Sequence, residues 1–271
     1  MNKTERNDLQ LNPERVFVPA TESQIEILIS CLLGGDEASL AYNLSVTLNI
    51  SGPLNRTFLE QSLQDLIDRH ESLRSVFTSD ASQICISSKQ LLDLKFEDLS
   101  HKDNDQNKNF IADFIESEVN TVFDLQNGPL YKLSLFKLEN NNHALIFTAH
   151  HIICDGWSMG IFLDELGKLY SARIKNEPSE LAEANSFTQY ALDQKKFSQS
   201  NDYKQIEQFW QDQFKDNVPI LDLPTDFQRP AIRTNKSNRL DTILDKNLFS
   251  DIKGFSNKQG SGDSIREFSN R

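Results

Sequence analysis

The sequence predicts an α/β protein, a two-layer sandwich in which helices flank one mixed, largely antiparallel sheet. Three observations lead to this prediction. Residues 43–51 (NLSVTLNIS) alternate strictly between polar and apolar side chains, as a half-buried strand does. Residues 130–138 and 143–150 are two strand-like runs joined by ENNN, which is a hairpin signal. The stretches between the strands carry apolar residues at helical spacing.

The elements follow in chain order. Asn55 can cap a helix that runs to about Arg69, and its apolar stripe consists of Phe58, Leu59, Leu63, Leu66 and Ile67. LRSVF (73–77) and QICIS (83–87) are typical of short strands. Further helices are expected at 108–122, from Gly156 to about Tyr170, at 186–198 and at 203–215, with a strand near 239–244.

Composition excludes some functions. The net charge of −12 disfavours nucleic acids and anionic membrane surfaces, because both attract lysine and arginine. No apolar run approaches the roughly 20 residues of a membrane helix, and residues 1–17 contain no signal-peptide core. The three cysteines have no metal-ligand spacing. We therefore expect a cytoplasmic protein without a metal, a nucleic acid or a membrane as a partner.

The stretch TAHHIICDGWS (148–158) contains the main candidate site. If the strand persists to its end, His150 and His151 point to opposite faces of the sheet, which disfavours a shared metal ion. One neutral imidazole in a cleft could still accept a proton. Asp155 could orient the loop or pair with a cation, and Gly156 permits a sharp turn. The alternative is a polar strand end with no chemical role.

The form HHxxxDG in this stretch resembles the active-site motif of the condensation domains of nonribosomal peptide synthetases. Four further stretches resemble that family in the same order: ATESQIEIL (20–28), RHESLRSVF (69–77), SFTQYALDQ (186–194) and LDLPTDFQRP (221–230). The sequence departs from the family pattern at Glu26, where a basic residue is common, and at Asp193, where an aromatic residue is frequent. The resemblance covers roughly residues 18 to 255.

The resemblance implies a chloramphenicol-acetyltransferase-like fold of two similar lobes, of which the second is incomplete here. Residues 1–17 are then a lead-in segment, and 18–185 are the N-terminal lobe with the HHxxxDG motif. Residues 186–254 are linker helices and the start of the second lobe, and 255–271 are a polar tail that we expect to be disordered.

The resemblance also implies amide bond formation between two substrates. His151 would take the proton of the attacking amine or hold that amine in position, and the family leaves this choice open. Gly156 could place its N–H near the developing oxyanion, or it could be a plain turn glycine.

The remaining residues of the motif would support the site. His150 would be structural, and Asp155 would be clamped by a bidentate ion pair with Arg74. Trp157 and Ser158 could line the crevice between the two lobes.

No cofactor would be bound directly, because phosphopantetheine arms of donor and acceptor carrier proteins would present the substrates. A separate chain could supply the second lobe, and we expect no amide synthesis from this polypeptide alone. Two alternatives stay open: a non-catalytic module that docks carrier proteins, and a stand-alone thioester-dependent acyltransferase.

Overall fold

The computed structural model describes residues 15–216, 218, 224–228 and 242–258, which fall into two compact units, Met1–Asn235 and Lys236–Arg271. The strands described in the first unit are β1 (Arg15–Pro19), β2 (Asn43–Ser51), β3 (Ser75–Phe77), β4 (Gln83–Ser87), β5 (Leu94–Asp98), β6 (Tyr131–Glu139) and β7 (Asn142–His150). Its helices are α1 (Glu22–Leu40), α2 (Arg56–Arg69), a 3₁₀ turn (Glu71–Arg74), α3 (Asn104–Val119), α4 (Gly156–Lys175), α5 (Phe187–Ser198) and α6 (Asn201–Gln213). The second unit contains α7 (Lys246–Lys258).

The strands form two sheets rather than the single sheet expected from the sequence. β1, β4 and β3 make a three-stranded antiparallel sheet in that order, and β2, β7, β6 and β5 make a four-stranded sheet. In the larger sheet β2, β7 and β6 are antiparallel, whereas the edge strand β5 runs parallel to β6. The predicted mixed, largely antiparallel α/β architecture is thus confirmed.

Both faces of the four-stranded sheet are covered. On one face Leu145, Phe147 and Ala149 of β7 pack into the main core with residues of α2 and α4. Phe147 stacks on Phe162 of α4 with ring centroids 4.1 Å apart. On the opposite face Ile146 belongs to a smaller core that α3 covers. β7 therefore lies between the two apolar cores, and the HHxxxDG motif begins at its C-terminal end.

Capping explains where two helices depart from the predicted bounds. α3 begins at Asn104 rather than at 108, because Asp103 and Gln106 form a capping box. α4 continues past Tyr170 to Lys175, where Asn176 adopts a left-handed cap. The helices expected at 186–198 and 203–215 correspond to α5 and α6 within two residues.

Two of the proposed chain boundaries need correction. Residues 15–17, expected in the lead-in, belong to β1. The short run RVFVP does not by itself indicate a strand, but its hydrogen bonds to β4 make it one. Residues 255–258 of the expected disordered tail belong to α7, while 259–271 lie outside the described residues. The strand expected near 239–244 lies partly outside them, and 242–244 are not in a strand.

Candidate active site

The HHxxxDG motif occupies the connection between β7 and α4. β7 ends at His150, so His151 is the first residue of the turn rather than the next residue of the strand. The strand alternation proposed for the two histidines therefore does not extend to His151. The two side chains differ instead in burial: His150 has no exposed surface, whereas His151 is half-buried.

His150 is part of the protein interior. Its Nδ1 accepts the backbone N–H of Ile152 at 3.2 Å, and its Nε2 faces the Ser39 hydroxyl at 3.5 Å. The ring lies near Tyr42 and Phe123, with centroid distances of 5.9 and 6.4 Å. Burial, and secondarily the neighbouring His151, lowers the pKa of His150 to about 4. His150 is therefore neutral near pH 7, and it supports the turn.

His151 begins the turn with its backbone fixed. Its N–H donates to the carbonyl of Tyr42, which precedes β2, at 2.7 Å. Among the residues that the structure describes, no partner forms a hydrogen bond with its imidazole. A half-buried imidazole on a fixed backbone can meet a bound molecule without first breaking a bond within the protein.

Asp155 caps α4. Its Oδ1 accepts the Ser158 N–H at 2.8 Å and the Ser158 hydroxyl at 2.6 Å. The hydroxyl bond, then the amide bond and, to a lesser degree, the nearby His151 lower the pKa of Asp155. An anionic carboxylate at this end also suits the helix dipole. Asp155 therefore fixes the start of the helix that follows His151.

The expected clamp between Asp155 and Arg74 is wrong. Arg74 is buried and donates to three backbone carbonyls, those of Ile67, Asp68 and Ser87. The first two end α2 and the third ends β4, so the guanidinium joins the helix to the smaller sheet. Local capping satisfies Asp155 and nearby carbonyls satisfy Arg74, so neither group needs the other.

The first turn of α4 faces outward. Gly156 is exposed and does not have a positive φ, and a Cβ on it would meet no atom within 4 Å. Neither backbone conformation nor packing among the described residues thus requires a glycine here. Trp157 is 74% exposed, although aromatic residues of this size are usually well buried. Ser158 is half-buried, and its N–H and hydroxyl both bond to Asp155.

A small pocket of about 100 Å³ lies beside the motif. Its lining consists of His70, Ser72, Leu73, Phe147, Ile153, Cys154, Ser158, Ile161 and Phe162. Ser158 and Cys154 thus border it, whereas His151 does not. Burial, and then the charge of Asp155, raises the pKa of the Cys154 thiol to about 12, so this cysteine is not a nucleophile at neutral pH.

His70 belongs to a cluster of polar side chains around Glu165. It is the C-cap of α2, and its Nε2 lies 2.6 Å from Glu165 of α4. Arg69 binds the same carboxylate at 3.0 Å. The cluster ties α2 to α4 at one end of the pocket.

Three residues around the turn were not predicted from the sequence: Gln24, Ser39 and Tyr42. Gln24 donates to the carbonyl of Ile152 at 3.3 Å, from a position near the start of α1. The capping pattern T-x-x-Q at Thr21–Gln24 was a usable signal for the helix start, but not for the contact across 128 residues. Within the described part of the chain, no three His, Cys, Asp or Glu side chains cluster as metal ligands would.

Comparison with known proteins identifies the family. The family model of the condensation domain matches residues 15–262, and the chain therefore belongs to the condensation-domain family. It is 36% identical over 219 residues to gramicidin S synthase 2 of Brevibacillus brevis, covering 79% of this chain and 4% of that protein. It is 31% identical over 244 residues to malpinin synthetase of Mortierella alpina, covering 90% of this chain and 3% of that protein.

Solved structures agree on the fold. The starter condensation domain of rhizomide synthetase RzmA superimposes with a TM-score of 0.67 at 20% identity, covering 74% of this chain and 48% of that one. The first condensation domain of the calcium-dependent antibiotic synthetase gives a TM-score of 0.63 at 20% identity, covering 76% of this chain and 50% of that one. The chain thus spans about half the length of these domains and a small fraction of the curated synthetases. None of the described helices combines the length and apolar character needed to cross a bilayer.

Proposed function

We propose that this chain carries the active-site lobe of a condensation domain that forms amide bonds in nonribosomal peptide synthesis. The donor is an acyl or peptidyl thioester on one carrier protein, and the acceptor is an aminoacyl amine on another. The amine nitrogen attacks the thioester carbonyl, the C–N bond forms and the C–S bond breaks. The donor arm leaves as a thiol, which takes up the proton lost by the amine.

The observation that supports this proposal most is the arrangement of the two histidines. His151 is half-buried with no hydrogen bond to its imidazole from the described residues, and it follows directly on a buried and neutral His150. We propose that His151 takes the proton of the attacking amine or holds that amine, either of which requires a fixed imidazole at the crevice.

Gly156 is the proposed site of closest substrate approach. Since the fold does not require a glycine at this position, the missing side chain leaves room in front of the helix N-terminus. Its backbone N–H would then stabilise the oxyanion of the tetrahedral intermediate. Trp157, exposed, and Ser158, half-buried, would line the crevice beside the phosphopantetheine arms.

The organisation of the chain follows from the same proposal. Residues 15–185 form the N-terminal lobe, and residues 186–258 form the linker helices and the start of the second lobe. A second lobe, in the same or a separate chain, completes the crevice between donor and acceptor carrier proteins. No cofactor binds directly, and the reaction takes place in the cytoplasm.

The test is a single-turnover assay with carrier proteins loaded with donor and acceptor. The chain is assayed alone and with a separately purified second lobe from a related condensation domain, and the amide product is measured by mass spectrometry. We expect product only with the second lobe present, and at least a 100-fold loss in His151→Ala. His101→Ala, at an exposed position, is the matched control and retains full activity.

Other outcomes favour the alternatives. Carrier binding without product in either arrangement indicates a docking module. Acyl transfer from a soluble thioester by the chain alone indicates a stand-alone acyltransferase. Equal product from the parent and His151→Ala overturns the role of His151.

A further inference from the structure

The turn that presents His151 is tied to α1 by one buried side chain. Gln24 is 6% exposed and lies in the first turn of that helix. Its Oε1 accepts the N–H and the hydroxyl of Thr21 at 3.2 and 3.0 Å, which completes the capping box. Its Nε2 points the other way and donates to the carbonyl of Ile152 at 3.3 Å. One amide therefore joins a helix cap to the HHxxxDG turn.

The contact falls on the residue that follows His151. The N–H of Ile152 is bonded to His150 Nδ1 at 3.2 Å, and the carbonyl of Ile152 is bonded to Gln24. The N–H of His151 itself is bonded to the Tyr42 carbonyl at 2.7 Å. The backbone is thus held on both sides of His151, and on the C-terminal side it is held by two side chains from the interior.

We propose that Gln24 is a positioning residue for His151. By holding the Ile152 carbonyl it fixes the peptide plane between Ile152 and Ile153, while His150 holds the plane between His151 and Ile152, and the turn from which the imidazole of His151 projects is thereby kept in place. The consequence for catalysis rests on the proposed function. A displacement of about 1 Å can cost on the order of 10²-fold in rate, so loss of the Gln24 donor is expected to lower kcat about 10- to 100-fold.

The two jobs of Gln24 can be separated by substitution. A capping box needs only an acceptor at this position, and glutamate serves as well as glutamine. The bond to Ile152 needs a donor, which an ionised carboxylate lacks. Gln24→Glu therefore keeps the cap and removes the tie to the turn. Thr21→Ala is the matched control, because it removes the cap and leaves the Gln24 amide free to donate.

The primary measurement is NMR of the full chain with isotope-labelled histidine. The chain contains five histidines, and a His151→Gln variant assigns the His151 signals. We expect Gln24→Glu to shift the ring ¹³C and ¹⁵N signals of His151, while Thr21→Ala lowers the Tm and leaves them in place. Unchanged His151 signals in Gln24→Glu, or equal shifts in Thr21→Ala, overturn the proposal. If Gln24→Glu does not fold, the neutral and similarly sized Gln24→Met takes its place against the same control.

The second measurement is the condensation assay. Gln24→Glu is expected to lower kcat with little change in KM for the loaded carriers, because the contact does not reach the substrate. The NMR result uses no substrate, so shifted His151 signals support positioning even if no amide forms, and in that case it is the proposed function that fails. Equal kcat values for the parent and Gln24→Glu, in a chain whose His151→Ala variant is inactive, overturn the catalytic consequence.

Discussion

Replacement of Arg74 by alanine should destabilise the fold without disturbing any contact of the active-site motif. Its buried guanidinium donates from Nε to the Ile67 carbonyl at 2.9 Å and from Nη2 to the Asp68 carbonyl at 3.1 Å, with a third bond to Ser87. Each buried carbonyl left without its donor costs about 1 kcal/mol, so the loss is about 3 kcal/mol. For a domain of this size that corresponds to a fall in Tm of about 6–12 °C.

The assay is urea and thermal unfolding of the parent, Arg74→Ala, Asp155→Ala and the double variant. The two side chains share no hydrogen-bond partner, so their losses should add within about 0.5 kcal/mol. Arg74→Lys is the matched control: it keeps the charge, but a single ammonium does not reproduce a fork of three bonds. We expect Arg74→Lys to show at least half of the loss seen with alanine.

The double variant provides the refutation. A coupling free energy above about 1 kcal/mol would mean that Arg74 and Asp155 act as a pair, and the separate hydrogen bonds described for the two side chains would be wrong. A loss below about 1 kcal/mol in Arg74→Ala would show that water replaces the guanidinium at the three carbonyls.

Three further predictions concern residues near the turns. The pKa of His150 is lowered to about 4 in the folded state from 6.5, so stability is full above pH 6.5 and declines by about 3 kcal/mol towards pH 4; His150→Gln should remove this part of the acid dependence, and His101→Gln should not. Asp155→Ala should lose about 1 kcal/mol of helix capping at neutral pH, and because the pKa of Asp155 is lowered, parent and variant should converge as the pH falls below about 4 in urea titrations. Gly128→Ala, at φ +61° with a Cβ 2.8 Å from a neighbouring side chain, should lower the Tm, whereas Gly167→Ala, within α4, without a positive φ and with open space around its Cβ, should not; an unchanged Tm in Gly128→Ala would show that the backbone and the neighbour give way.

Local patterns predicted the framework of the site well. The alternation in NLSVTLNIS and the apolar run before the histidines correspond to β2 and β7, which pair antiparallel over nine residues from Asn43–His150 to Ser51–Asn142. The Asn55 cap and the stripe of α2 are also present, with the Asn55 side chain accepting the Phe58 N–H at 3.1 Å. These features depend on periodicity and capping within a few residues, which a single sequence displays directly.

Those local patterns did not predict the long-range contacts. β5 is a five-residue edge strand whose burial pattern does not alternate cleanly, and its parallel pairing with β6 depends on the intervening α3. The partner of Arg74 was misassigned for a related reason. Charge complementarity favours a carboxylate, but the nearest acceptors are carbonyls created by the end of α2, and sequence charge does not reveal them.

The stretches that resemble the family therefore act in different ways. In RHESLRSVF, Arg69 and His70 bind Glu165 on α4, and Glu71 accepts the Thr188 N–H at the start of α5 at 2.6 Å. These contacts assemble the scaffold and do not reach His151.

ATESQIEIL, by contrast, contacts the turn itself through Gln24. A substitution in RHESLRSVF should thus lower the stability of the fold rather than act directly on His151. Loss of the Gln24 donor should instead change the position of His151 while the helix cap persists. The Gln24→Glu and Arg74→Ala variants make that distinction measurable. Gln24→Glu should shift the imidazole signals of His151 in a stable fold, whereas Arg74→Ala should leave those signals unchanged in a less stable fold.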